Sequence, residues 1–207
     1  MSRRTWERYK GYRRRIAVRE PRQRFLIVCE GEKTEPNYFE KFPVPKDVIV
    51  TIHRGAGVHI SVVREAISRR DNSDDEYDQI WCVFDRDKQP SNPRSAHNFN
   101  EAIRLARSEG IKVAYSNDAF ELWYLLHFDF HDTAIHRSAY ITKLSAKLPG
   151  GYRKSDPDIY DKLVDKMEVA CGRATTLLAR YSPLNPEAND PSTTVHLLVS
   201  ELRKYMV

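Results

Sequence analysis

The 207-residue chain is short of three things: cysteine, glycine and long apolar runs. Its three cysteines, Cys29, Cys82 and Cys171, lie far apart, and no Cys/His spacing resembles a zinc site. Cys29 and Cys82 fall inside apolar segments, which suggests buried thiols in a reducing compartment and a cytoplasmic protein. Gly55 and Gly57 are too few to build a phosphate-binding loop, so nothing supports an ATP site. No stretch is apolar for the length of a membrane span, and the basic N-terminus leads into no apolar signal core. The expectation is a protein with no membrane partner. Internal repeats and low-complexity tracts are absent as well.

What the chain has is charge, unevenly placed. Residues 1–24 hold ten Lys or Arg, Arg13, Arg14 and Arg15 among them, against Glu7 and Glu20. That segment is therefore +8 in a chain of net charge +5, and the remainder is −3. A basic arm on a mildly acidic body points to a polyanion, most simply RNA or DNA. Trp6, Tyr9 and Tyr12 interleave with the charges and could stack on bases. A solvated arm that aids solubility is the alternative.

Four apolar segments read as strands: Arg24–Cys29, Asp47–His53, Gln79–Phe84 and Ile111–Tyr115. Helical patterns separate them at Glu35–Phe42, Val58–Arg70 and Asn98–Glu109, and Ala119–Phe128 follows the last strand. Thr34 reads as the cap of the first helix, with Pro36 in its first turn. This alternation predicts an α/β fold, a mostly parallel sheet flanked by helices. Beyond residue 129 the strand signal fades, and Ser138–Leu148, Asp156–Ala179 and Thr193–Tyr205 read as helices. The expected organisation is a basic arm (1–23), an α/β core (24–130) and a helical C-terminal extension packed on it (131–207).

Two strands end in acids. The first runs into Glu30-Gly31-Glu32-Lys33-Thr34-Glu35, the third into Asp85-Arg86-Asp87. In open α/β sheets, ligands bind beyond the carboxyl ends of strands. If the first and third strands are neighbours, Glu30, Asp85 and Asp87 share one crevice. Such carboxylates suit Mg²⁺, which takes one or two of them plus waters and substrate phosphates. The cluster could then bridge a phosphodiester, with Glu30 on the metal or moving a proton. Glu121 and Asp118 could add a further acid. Lys33 could touch phosphate, although a surface lysine is the preferred reading, and Arg86 could face away and pair with a neighbouring acid or contact phosphate. The loop Asp85–Asn98 is long enough to move before a substrate binds. The stripe Phe120, Trp123, Tyr124, His127 and Phe128 reads as core. His53 and His59 flank a glycine turn and read as surface residues, with proton shuttling as the alternative. Thr194 and His196 are placed to cap the last helix.

Several of these segments together resemble the RloB-like family. They are Glu30-Gly31-Glu32-Lys33-Thr34-Glu35 with Tyr38 and Phe39, then Phe84-Asp85-Arg86-Asp87, then the run Ser116-Asn117-Asp118-Ala119-Phe120-Glu121-Leu122-Trp123 through Phe128. Asn189-Asp190-Pro191-Ser192-Thr193-Thr194-Val195-His196 resembles its C-terminal signature. The resemblance implies a divergent TOPRIM-like domain, the metal-binding fold of topoisomerases, primases and OLD-type nucleases. It implies acid/base work for Glu30 and Mg²⁺ (or Mn²⁺) held by Asp85 and Asp87. Because Lys88 and Gln89 follow Asp87 where a third acid can stand, Glu121 would supply any further ligand. Asn117-Asp118-Ala119 also departs from the family's usual proline-containing segment. The family further implies an anti-phage defence effector, often beside an ATPase partner.

The resulting expectation is a metal-dependent nuclease acting on RNA or DNA. Its rivals are nucleotidyl transfer of the primase type and a non-catalytic nucleic-acid-binding or regulatory subunit of an ATPase-containing complex. A pure binding module has no need to cluster acids.

Overall fold

A computed structural model describes residues 22–87 and 94–206. The strands are β1 (Gln23–Cys29), β2 (Val48–His53), β3 (Gln79–Asp85), β4 (Lys112–Asn117) and a two-residue β5 (Ser192–Thr193). The helices are α1 (Thr34–Phe39), α2 (Ile60–Asp71), α3 (Arg94–Ser108), α4 (Glu121–Leu126), α5 (Arg137–Lys147), α6 (Ile159–Leu163), α7 (Met167–Leu178) and α8 (Val195–Arg203). The sheet order is β2-β1-β3-β4-β5, with the first four parallel and β5 antiparallel to β4.

Strand periodicity decides which helices lie on which face. Leu26, Val28, Cys82 and Phe84 pack with α2 and α3, through Val62, Val63, Ala66, Phe99, Ala102 and Ala106. The residues between them in sequence, Phe25, Ile27, Cys29, Trp81 and Val83, face α1 and α4–α8. Successive strand side chains point to opposite faces, so apolar residues at every position mean both faces are covered. The aromatic stripe around α4 is core, as expected: Phe120, Trp123 and Tyr124 are buried around Tyr38, the first two edge-on and Tyr124 tilted. Cys29 and Cys82 are buried free thiols. Among the described residues no helix is long and apolar enough to cross a membrane.

Three expectations change. The C-terminal half is not purely helical: β5 joins the sheet. Its pairing is short and depends on hydroxyls, which hydrophobic periodicity does not register. Thr194 Oγ1 accepts from the Tyr115 amide and donates to the Val113 carbonyl, while Ser116 and Thr193 pair through their hydroxyls. Thr194 does stand at the start of α8, but its side chain serves the sheet and not the cap. Next, the helix expected over Asp156–Ala179 begins late and is broken into α6, a tight turn at Val164–Lys166, and α7. The Asp156 carboxylate accepts the Asp158 amide at 3.0 Å and so offers the backbone a turn in place of a helix. Finally, Thr34 is the first residue of α1, not its cap, and no side chain caps that helix.

At the other end of the sheet the Arg22 guanidinium lies over the Tyr205 ring, 4.9 Å from its centroid. The Tyr205 hydroxyl donates to Gln23 Oε1 at 3.0 Å. The basic arm, except for Arg22 and Gln23, lies outside the described residues, as do Lys88 and Gln89 in the loop after β3.

Candidate active site

The strand order supplies the crevice. From β1 the chain crosses to β2 on one side, whereas β3 continues to β4 on the other, so the carboxyl ends of β1 and β3 part company. A cleft opens where neighbouring connections diverge in this way. Glu30 follows β1 and Asp85 closes β3, and the two strands are adjacent. The Asp85 amide donates to Glu30 Oε2 at 3.1 Å. The shared crevice expected from the sequence is therefore present.

The cleft has a volume of about 340 Å³. Glu30, Glu32, Glu35, Asp85, Asp87 and Glu121 supply its acids; Lys33, Lys154 and Arg137 supply its cations. Glu35 and Glu121 are each only 5% exposed. Gly31 makes room for Glu35, since a Cβ there would overlap the Glu35 carboxylate. Tyr152 donates its hydroxyl to Glu121 Oε1 at 3.0 Å. Behind the strand end, His59 is buried against Phe84 and Phe99, with Nε2 2.9 Å from the Asp85 carbonyl. Burial pushes its pKa down, so the neutral ring donates from Nε2 and fixes the Asp85 backbone. His59 is thus not a surface residue but a positioning one.

The acids raise one another's pKa values. Burial, then Glu35, Glu121 and Glu30, hold the Asp85 carboxyl well above the usual range, against the pull of the Phe120 amide. Burial raises Glu30 to about 7, with Glu35 and Asp87 adding to it and the Asp85 amide and Arg137 opposing it. Glu35 is raised by burial and by Glu121, with Lys154 opposing. Asp85 Oδ1 is buried and has no hydrogen-bond partner.

Arg137 is the residue that sequence reading missed. It opens α5, 50 positions beyond Asp87, and it pairs with Asp87 Oδ1 while its Nη2 stands 3.9 Å from Asp85 Oδ2. Burial opposes its charge, but Asp87, Asp85, Asp118 and Glu121 outweigh burial and keep the guanidinium protonated. Lys154 and Tyr152 also come from the C-terminal half, and no linear pattern marked them. Arg86, read as a phosphate contact, turns away from the cleft: it is buried near Glu187 and over Phe99. Lys33 does line the cleft.

Among the described residues no three His, Cys, Asp or Glu side chains converge as a ready metal-binding group. The donor chemistry nonetheless suits a hard divalent cation. The cleft's donors are carboxylate oxygens, Asp85 Oδ1 has no hydrogen-bond partner, and Mg²⁺ uses only one or two carboxylates and completes its shell with water.

An α/β domain with an acidic cleft at the switch point of its sheet is the class that fold and site define. A family model described as RloB-like protein matches residues 25–202, and the chain belongs to that family. No curated protein and no solved structure matches it.

Proposed function

We propose that this protein is a metal-dependent nuclease that hydrolyses phosphodiester bonds of RNA or DNA, with the TOPRIM-like assignment of roles that the family resemblance implies. One observation carries the reading: acids from β1, β3 and the start of α4 meet in one cleft whose rim is cationic. Buried carboxyls still raise one another's pKa values beside Arg137, and Asp85 Oδ1 is left unpaired, so the cluster has room for a further positive charge. Asp85 and Asp87 would hold Mg²⁺ or Mn²⁺, with Glu30 or Glu121 completing the set. The bound ion would neutralise charge on the transferring phosphoryl group and acidify water.

The chain's own groups do the rest. Lys33 and Lys154 line the cleft and can receive flanking phosphates. Glu30, with a pKa of about 7, suits proton transfer near neutral pH, taking a proton from the attacking water. His59 and the Glu30–Asp85 hydrogen bond keep the acids in register. The basic arm would add affinity that falls steeply with salt. On the resemblance alone, we extend the proposal to a cytoplasmic anti-phage effector working beside an ATPase.

The rival is a non-catalytic nucleic-acid-binding or regulatory subunit, and the Arg137 bridge favours it, because an internal cation already meets Asp85 and Asp87. The test is cleavage of tRNA, single-stranded RNA and plasmid DNA in Mg²⁺ or Mn²⁺ by wild type, Glu30→Ala and Asp85→Ala, each checked for folding. Cutting by wild type alone supports the nuclease. Equal cutting by all three removes this site. No cutting, even with an ATPase partner added, favours the binding subunit.

A further inference from the structure

We propose that Arg137 is a built-in counter-cation: it holds Asp85 and Asp87 until a divalent cation displaces it, and then turns to the substrate phosphate. The inference rests on the metal-dependent reading above.

The geometry of the bridge is uneven. Arg137 pairs closely with Asp87 but reaches Asp85 Oδ2 only at 3.9 Å, and Asp85 Oδ1 is left with no partner. Arg–carboxylate pairs are frequently bidentate, with the fork on both oxygens of one carboxylate. Here one guanidinium serves two acids: it donates to Asp87 Oδ1 and leaves Asp85 Oδ1 without a hydrogen-bond partner. Its side chain is 37% exposed, against 14% for Asp85, so the cation has an open side and the acid has a closed one.

Among the described residues that line the cleft, Arg137 is the one guanidinium, whose fork matches the oxygens of carboxylate and phosphate alike. Lys154 provides a comparison within the same cleft: it acts electrostatically on Glu35. The proposal therefore assigns opposite signs to two measurements. Removing a counter-cation frees the aspartates, so metal binds more tightly. Removing a phosphate ligand weakens substrate binding. A structural strut would lose both, because its removal disorders the site.

The experiment compares wild type, Arg137→Gln, Arg137→Lys and Lys154→Gln. Mn²⁺ binding is followed by the loss of the free-ion electron paramagnetic resonance signal. Binding of a labelled single-stranded oligonucleotide is followed in Ca²⁺. Arg137→Gln is expected to bind Mn²⁺ about three- to tenfold more tightly, the worth of a half-exposed ion pair, and to bind the oligonucleotide more weakly. Arg137→Lys, which keeps the charge but loses the fork, should lie between it and wild type, and it decides the matter if the glutamine variant fails to fold. Lys154→Gln should change Mn²⁺ affinity less than Arg137→Gln. Equal gains from Arg137→Gln and Lys154→Gln would reduce the effect to general electrostatics and overturn the proposal. So would weaker or unchanged Mn²⁺ binding by Arg137→Gln. If wild type cuts no nucleic acid, the nuclease reading falls, while the Mn²⁺ comparison still tests Arg137 on its own.

Discussion

Tyr152 and Glu121 meet 3.0 Å apart, hydroxyl to carboxylate, although they come from opposite sides of the junction expected at residue 130. Both are buried, so the bond has no water to replace it. Tyr152→Phe keeps the ring and removes the donor, which leaves a buried acceptor unsatisfied at about 1–3 kcal/mol. The expected result is a lower urea midpoint with an unchanged slope. A midpoint equal to wild type would mean that Glu121 finds another donor.

The acid cluster sets a pH dependence whose sign can be worked out. Glu30 has a folded pKa of about 7 against an ordinary value of 4.5. Its contribution to stability is full below about 4.5 and is lost as pH rises through 7. Asp85 and Glu35 are shifted in the same direction. His127 and His196, pushed down to about 4 by burial, act oppositely: their contribution is present above 6.5 and fades as pH falls toward 4. Denaturation across this range should show Glu30→Gln losing less stability than wild type as pH rises from 5 to 8. Parallel profiles would show that Glu30 titrates normally.

Much of this site was legible in the sequence, and the rest was not for identifiable reasons. Glu30, Asp85 and Asp87 could be found because each sits beside an apolar strand, and strand ends converge wherever parallel strands are neighbours. Arg137, Tyr152 and Lys154 could not, because their position depends on how the C-terminal segment folds back, and no local periodicity encodes that. His59 looked like a surface residue because it stands in a glycine turn, yet tertiary packing with Phe84 and Phe99 buries it. The hydroxyl-rich Ser192–Thr194 escaped because its pairing to β4 relies on side-chain oxygens.

Gly31 offers a test of whether Glu35 matters to the cleft. A methyl group there meets the Glu35 carboxylate and not backbone. Gly31→Ala should therefore move Glu35 while costing no more than about 1 kcal/mol in stability, the scale of ordinary surface and turn substitutions. Mg²⁺-dependent cleavage should fall well below that of Thr34→Ala. Full activity with unchanged melting would exclude Glu35 from the chemistry.

Asn117 links the two family signatures. Its side-chain amide lies 3.0, 3.1 and 3.0 Å from the carbonyls of Pro186, Glu187 and Asn189. Asn117→Ala should release that loop, with a loss of about 1–3 kcal/mol for part-buried acceptors left bare. Limited proteolysis should show new cleavage between residues 183 and 191, while β1–β3 stay protected from hydrogen exchange. Unchanged proteolysis would show that the β5 hydroxyl pairing holds the loop alone.

If the ligand is a nucleic acid, the contact of Arg22 and Gln23 with Tyr205 bears on the length that spans the cleft and the root of the arm. It places the root of the basic arm at the start of β1, while the acids lie at the strand's far end. Seven residues of strand separate them, about 23 Å. A duplex running beside the sheet from cleft to arm root would cover about seven base pairs at 3.4 Å each. Below that length, binding should lose its steep dependence on salt before it loses its dependence on the cleft.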